Sequence, residues 1–321
     1  MSARASAIAY PIQGLIKYHG LRDERLRLPF HDSISVCTAP IRTHTTVRFG
    51  EDVDIALIDG RAVPGRVMER VHDVIDPLRA EAGVRTGMRM ESRNDFPSNI
   101  GLGASASGFA ALAVAATAAL GLEMSLEEIS RFARRGAGSA ARAVTGGFSR
   151  WYAGTGDKDS ISRAIPYPQD LDLEIVAALV PAHKFTDTAH HEVLGSPFFK
   201  ARLEYVPTVL ERMERAIRAG DAEEIGRLAE ADTLLLHGIT MTGSDSMVLW
   251  RPETVRVILE VQAMRREGIQ CHFSIDTGAT VYVNTNRKDA GAVRKRIAAL
   301  GLETIPCTVG GPAALVQEHL F

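Results

Sequence analysis

The sequence is short of cysteine, of unbroken apolar stretches and of any excess of charge, and each shortage removes a class of protein. Of its 321 residues three are cysteine, Cys37, Cys271 and Cys307. An odd, widely spaced set supplies no disulfide framework, so a chain of this length rests on a buried apolar core. No run approaches the roughly 18 consecutive apolar residues of a membrane span. The opening MSARASAIAYPIQG lacks the apolar core of a signal peptide, and a cytoplasmic location is expected. Lys and Arg number 37 against 39 Asp and Glu, a formal net charge of −2. That balance gives nucleic acid or an anionic membrane nothing to attract, and the local run ARRGAGSAAR does not alter it. Adjacent His190 and His191 lack metal-ligand spacing, because neighbouring side chains diverge.

What is present is periodic. THTTVRF (43–49) puts Thr45, Val47 and Phe49 on one face, as a strand does. Asp59-Gly60 predicts a hairpin turn, because both positions accept positive φ. Val67, Val71, Val74, Ile75 and Leu78 recur at helical spacing, and VRTGMRMES alternates as a further strand. Ser125 and Glu128 form a capping-box pattern for a helix to about Arg135. LEIVAALV (173–180) reads as a buried strand, and helices are predicted over about 199–219, 221–237 and 252–267. From Cys271 onward the order is strand, tight turn, strand, helix, strand, with Asn286 capping the helix and Gly301 ending it. Hairpins mixed with helices give an α+β class rather than a wound parallel sheet. Gly, Asp, Ser and Pro concentrate between about 155 and 172, which divides the chain into halves 1–170 and 171–321.

The stretch SRNDFPSNIGLGASASGFAALAV (92–114) crowds glycine and serine directly ahead of a small-residue helix. Backbone N–H groups at a helix start carry partial positive charge, and glycine lets them approach an anion closely. Serine hydroxyls add donors to phosphate or a ligand for Mg²⁺. Without a following Gly-Lys-Ser/Thr it is no Walker loop, and its spacing is not that of a dinucleotide fingerprint. On the loop alone, a nucleotide triphosphate site and a tightly packed helix start both stand.

The pattern PxxxGLGxSxS resembles the second motif of the GHMP kinases, and the match is nearest to the mevalonate-diphosphate decarboxylases and their phosphomevalonate-decarboxylase relatives. Four further segments resemble that family in order: IKYHGLRDERLRLPFHDSISV, ISRFARRGAGSAARAVTGGFSRW, HFSIDTGATVYV and the glycine loop TVGGPA. The resemblance implies a two-domain fold, with a ribosomal S5 domain 2-like N-terminal half, a ferredoxin-like C-terminal half and the active site between them. It also implies homodimers.

The implied reaction is ATP-dependent. ATP phosphorylates the tertiary 3-hydroxyl of a 3-hydroxy-3-methyl acid carrying a 5-phosphate or 5-diphosphate, and loss of phosphate and CO₂ leaves an alkene. In this resemblance Asp276 takes or orients the hydroxyl proton, an effect typically worth about 10²–10⁴ in rate. Arg142 clamps the substrate carboxylate, since a planar guanidinium matches it bidentately, with Ser139 one helical turn upstream. Lys17 pairs with Asp276 and stabilises the departing phosphate. The ATP cradle comprises Asn94, Pro97, Gly101, Gly103, Ala104, Ser105 and Ser107, with Ser105 as the candidate Mg²⁺ ligand. Tyr18, His19, Lys184, His190 and His191 are the remaining substrate-binding candidates.

The chain departs from the diphosphate-using pattern at His19-Gly20-Leu21, where those relatives have Trp-Gly-Lys, and it lacks a Gly-Met-Arg arginine near KFTDTAHHEVLGSP. Less positive charge at one end of the site suggests a tail with less negative charge. (R)-5-Phosphomevalonate, giving isopentenyl phosphate, is therefore the expected substrate. The diphosphate, phosphorylation without decarboxylation, and a nucleotide-binding regulator are the alternatives.

Overall fold

The structure is a computed structural model that describes residues 4–98, 101–182 and 186–321. The N-terminal half runs β1 (Arg4–Ala9), β2 (Ile12–Ile16), β3 (Leu21–Asp23), β4 (Leu28–Pro29), β5 (Ser33–Ala39) and β6 (Thr43–Glu51). It continues with β7 (Ile55–Ile58), β8 (Arg61–Ala62), α1 (Gly65–Ala82), β9 (Gly87–Asn94) and α2 (Ala104–Ala119). Then come α3 (Leu126–Gly136), α4 (Ala140–Thr145), β10 (Phe148–Trp151) and β11 (Ser162–Ile165). The C-terminal half supplies β12 (Glu174–Ala178), α5 (Thr186–Glu192), α6 (Phe199–Ala219), α7 (Ala222–Met241) and α8 (Pro252–Arg266). It closes with β13 (Cys271–Ile275), β14 (Val281–Thr285), α9 (Ala290–Ala298), β15 (Thr304–Val309) and β16 (Ala314–Val316).

Two large sheets organise these elements. The first has the order β16-β1-β6-β9-β7-β8 and carries α1 to α4 on a shared apolar core. Its β7–β8 hairpin turns at Asp59 and Gly60 with φ of 50° and 75°, the left-handed pair expected of that dipeptide. Helix α2 is buried on nearly every side, which its run of alanines permits. Helix α3 starts on the Ser125–Glu128 capping box.

The second sheet, β11-β10-β5-β15-β12-β14-β13 with β2 on β5, joins strands from both halves of the chain. Its junction is antiparallel, Thr308 opposite Ala39 and Val309 opposite Thr38. One core lies under α6 and α7, another under α8 and α9. Helices α6, α7 and α8 fall within a few residues of their predicted spans. Asn286 caps a different feature from the one expected. Helix α9 begins at Ala290, and the Asn286 side chain accepts the Asp289 N–H (2.8 Å) in the turn before it. The glycine loop 308–313 packs against residues 146–147, with Gly310 N–H donating to the Cys37 carbonyl (2.8 Å).

Candidate active site

A cleft of about 370 Å³ opens where the β2 end, the glycine loop, the α3–α4 connection and the β13–β14 turn meet. Each wall is local in sequence but distant from the others. Strand β2 delivers Gly14 and, just beyond it, Lys17, Tyr18 and His19; the β13–β14 turn delivers Asp276. Gly14 N–H donates to both Asp276 carboxylate oxygens at 3.2 Å. A Cβ at Gly14 would lie 2.8 Å from Asp276 Oδ1 and 2.8 Å from Lys17 Cγ, so glycine is what allows these two side chains to share the corner.

Lys17 is buried, and its ammonium donates to Thr233 Oγ1 (3.0 Å) and Ser274 Oγ (2.9 Å). Among the described residues its ion pair is with Asp232, at 3.9 Å, and the charge of Asp276, the partner expected from sequence, acts on it as well. Asp232 also accepts the Lys17 backbone N–H (2.9 Å) and an Arg202 N–H (2.9 Å), while Arg202 donates to the Lys17 carbonyl (2.7 Å). Burial pulls the Lys17 pKa below its ordinary value, and the nearby charges of Asp232 and Asp276 oppose that pull. Asp232 and Arg202 were not anticipated. A signal existed: each interrupts the apolar stripe of its helix, with Ile225, Leu228, Ala229 and Leu236 around Asp232, and Val206, Val209 and Met213 following Arg202.

Arg142, on α4, is 3% exposed and donates to Ser33 Oγ. The Tyr18 and Trp151 rings lie beside its guanidinium, 5.4 and 5.8 Å from centroid to Cζ. Among the described residues no carboxylate lies within ion-pair distance of it, and its Nε has no hydrogen-bond partner. Burial lowers its pKa to about 10, so it stays cationic at neutral pH. A buried cation in that condition is costly unless an anion joins it. Ser139 lines the cleft one turn upstream.

At the opposite wall Gly101, Gly103, Ala104 and Ser105 line the cleft. Gly101 and Gly103 have φ of 90° and 80°, left-handed values that favour glycine. A Cβ on Gly103 would stand 3.2 Å from the Ile12 carbonyl oxygen. This is a loop built for backbone approach, at the start of a 16-residue helix, and it suits nucleotide phosphates. Ser105 offers a hydroxyl for an Mg²⁺ whose other ligands would be phosphates and water.

Three expected cradle residues lie off the cleft wall. Ser107 is fully buried and shares hydrogen bonds with Thr43 Oγ1 (2.6 Å) and the Ala104 carbonyl (3.3 Å). The Asn94 side chain pairs with Thr43 and Asp59, and Pro97 is exposed ahead of the loop. Lys184 lies outside the described residues. His19 and His190 line the cleft, their rings 5.1 Å apart, and Tyr18 stacks on His190 at 5.0 Å. His19 is 1% exposed and neither ring nitrogen has a hydrogen-bond partner among the described residues. Burial holds its pKa well below 6.5, so the imidazole is neutral. His191 lies in an adjoining recess instead. Three cleft arginines, Arg27, Arg66 and Arg70, were not anticipated, because no local pattern points them at a common space.

A family profile described as the diphosphomevalonate decarboxylase-like N-terminal domain matches residues 9–162. The chain is 48% identical over 318 residues to the phosphomevalonate decarboxylase of Haloferax volcanii, covering 98% of each chain. It is 26% identical over 310 residues to the diphosphomevalonate decarboxylase of Candida albicans, covering 89% of this chain and 86% of that one. A solved chain designated MDDEF, in complex with MVAPP, AMPPCP and magnesium, matches with a TM-score of 0.93 at 29% identity, covering 99% of this chain and 100% of that one. A mevalonate diphosphate decarboxylase from Enterococcus faecalis matches with a TM-score of 0.92 at 29% identity and the same coverage. The chain therefore belongs to the mevalonate-diphosphate-decarboxylase-like family of the GHMP kinase superfamily, and its α+β architecture is that family's fold.

Proposed function

We propose that this protein catalyses the ATP-dependent decarboxylation of (R)-5-phosphomevalonate to isopentenyl phosphate, with ADP, phosphate and CO₂ as co-products, in an alternative mevalonate route to isoprenoids. The observation that carries the reading is Arg142, a buried guanidinium without a carboxylate partner among the described residues, in the same cleft as Asp276 and Lys17. A substrate carboxylate is the anion it fits. The monophosphate is supported by the 48% identity to the Haloferax volcanii enzyme. In this reading residues 1–170 form a nucleotide-binding domain and 171–321 a second domain that brings Asp276.

The residues divide the work. Arg142 and Ser139 fix the carboxylate end, which sets the tertiary hydroxyl near Asp276. Asp276 accepts the hydroxyl proton as that oxygen attacks the γ-phosphorus. Gly14 N–H holds both of its oxygens, limiting their rotation. Lys17, anchored from below, places positive charge where phosphate departs with the C–O electrons, and decarboxylation then supplies the pair for the new double bond. The glycine loop and Ser105 hold the nucleotide; Mg²⁺ supplies charge neutralisation on its phosphates. Cytoplasmic location and a homodimer complete the reading, the latter measurable by sedimentation. Among the described residues no helix is long and apolar enough to cross a membrane.

Purified protein incubated with ATP, Mg²⁺ and each mevalonate species, with ADP and CO₂ measured, tests the whole. Equal ADP and CO₂, with the highest kcat/KM on the monophosphate, is expected. Higher kcat/KM on the diphosphate overturns the substrate; ADP without CO₂ overturns the decarboxylation; neither product leaves a nucleotide-binding regulator. Asp276→Asn is expected to lower kcat by at least about 10³ with nucleotide affinity retained. Full activity in that variant makes the aspartate structural.

A further inference from the structure

The cleft does not close at His190. Arg27, Arg66 and His190 line it and also line a side recess of about 110 Å³. Beyond that neck the recess is walled by Leu21 and Leu194, with Glu24 and His191 alongside. The β3–β4 hairpin therefore contributes Leu21, Glu24 and Arg27 to one small space.

The hairpin is well anchored. Leu26 N–H donates to Asp23 Oδ1 (2.8 Å) and Arg27 N–H to the Glu24 carbonyl (3.3 Å). Arg27 has φ of 50°, a left-handed conformation that a side-chain-bearing residue holds where its surroundings enforce it. Its Nε donates to the Arg135 carbonyl (3.1 Å), which ties the guanidinium stem across to α3. Arg66 comes from the first turn of α1. Arg70, one turn later, lines the main cleft but not the recess, and donates to the Gly136 carbonyl (2.7 Å). The two arginines shared by cleft and recess are thus set apart from Arg70, which lines the cleft alone.

We propose that Arg27 and Arg66 receive the terminal phosphate of the substrate tail, and that Leu21 and Glu24 of the same hairpin restrict that tail to one phosphate. This rests on the decarboxylase reading above. With the carboxylate at Arg142 and the nucleotide over the glycine loop, the neck opens from the same cleft that Tyr18, His19 and His190 line. A phosphate monoester carries about −1.5 to −2 charge at neutral pH, and a guanidinium suits it in sign of charge and in planar donor geometry. A second phosphate would extend into the recess. There it would exchange water for two leucine side chains and approach the Glu24 carboxylate. Glu24 and its partner His191 (3.3 Å) have side chains 64% and 61% exposed, so Glu24's repulsion is screened and the leucine wall is the larger barrier.

The test measures kcat/KM for both phosphorylated mevalonates and for ATP, together with calorimetric affinity for each mevalonate. Arg27→Gln and Arg66→Gln are each expected to raise KM and Kd for (R)-5-phosphomevalonate about 10-fold, with ATP KM changed less than about twofold. Arg27→Lys, which keeps the charge, should recover part of that loss and controls for disturbance of the left-handed backbone. The double variant Leu21→Lys, Glu24→Gln should raise the diphosphate-to-monophosphate ratio of kcat/KM by about 10-fold or more. Glutamine variants that weaken ATP and spare the mevalonate overturn the phosphate assignment; an unchanged ratio in the folded double variant overturns the length restriction. Failure of the wild-type protein to release CO₂ from either substrate would strike the decarboxylase reading, while the calorimetric comparison would still decide the role of the neck.

Discussion

Arg142 shows what a binding site costs the ligand-free fold. Its guanidinium is desolvated between Tyr18 and Trp151, and among the described residues only Ser33 answers it with a hydrogen bond. Removing such a charge relieves a penalty of several kcal/mol, minus the packing lost with the side chain. Arg142→Met, which keeps most of the volume, is expected to raise the melting temperature of the ligand-free protein by about 1–5 °C. The same variant should lower kcat/KM by at least about 10³. A fall in melting temperature would mean that the arginine is structural. Sequence resemblance located this residue because motif and site coincide there. It located the two loop serines less well, and the reason is helical: at about 100° per residue, positions two apart point nearly opposite ways. Ser105 lines the cleft, so Ser107 turns into the core.

Among the elements, legibility followed periodicity. The hairpin at Asp59-Gly60 and the helices α3, α6 and α7 each carry a turn, capping or 3.6-residue signature, and they occur where predicted. Strands β2 and β5 gave no such signal. IQGLI is buried at every position, and SISVCTA is buried from Ser33 to Thr38 with serine and threonine among the hidden residues. A strand covered on both faces loses its alternation. The positioning of Lys17 was hidden for a different reason. Asp232 lies 215 residues away on α7 and reaches Lys17 through packing that no local pattern reveals. In the folded protein Asp232 is the strongest influence keeping Lys17 protonated against burial; Asp276 adds to it, and Arg202, Arg142 and the neighbouring His237 act the other way or are themselves destabilised by it. With cationic Lys17 as the active form and Asp276 ionised, activity is lost on the alkaline side as pH rises through the folded pKa of Lys17. Asp232→Asn keeps the hydrogen-bonding shape but removes the charge, so that pKa falls further. The alkaline limb of the kcat–pH curve should therefore move to lower pH by about a unit or more. A variant that is merely less stable would lose amplitude without moving the limb.

Across the whole molecule the two halves of the sequence are not separate in the sheets. Strand β15 pairs with β5, and β16 covers the edge of β1 with Val316 opposite Ser6 and Ala314 opposite Ile8. The C-terminal residues extend the attachment: Leu320 N–H donates to Thr46 Oγ1 (2.9 Å), and a His319 ring nitrogen meets Ser6 Oγ at 2.7 Å. Gly146, at φ 64°, gives these returning residues room, since a Cβ there would stand 2.2 Å from the Pro312 Cα. The composition shift near residues 155–172 marks a change of chain character, but strand pairing crosses it, and pairing across distant sequence leaves no mark on composition. A fragment of residues 1–170 would keep α1 to α4 on their sheet yet uncover the β1 edge, which is flanked by apolar core, and leave Thr38 and Ala39 at the end of β5 without their β15 partners. It would also lose the Asp276 carboxylate that Gly14 N–H holds. The fragment is expected to show no cooperative thermal transition by itself and to self-associate. Refolding it together with residues 171–321 should restore both the transition and ATP-dependent CO₂ release, because the missing strands can return without being covalently attached. A monomeric 1–170 fragment with a sharp, reversible melt would show instead that the cross-half strands serve to align the cleft rather than to stabilise the N-terminal core.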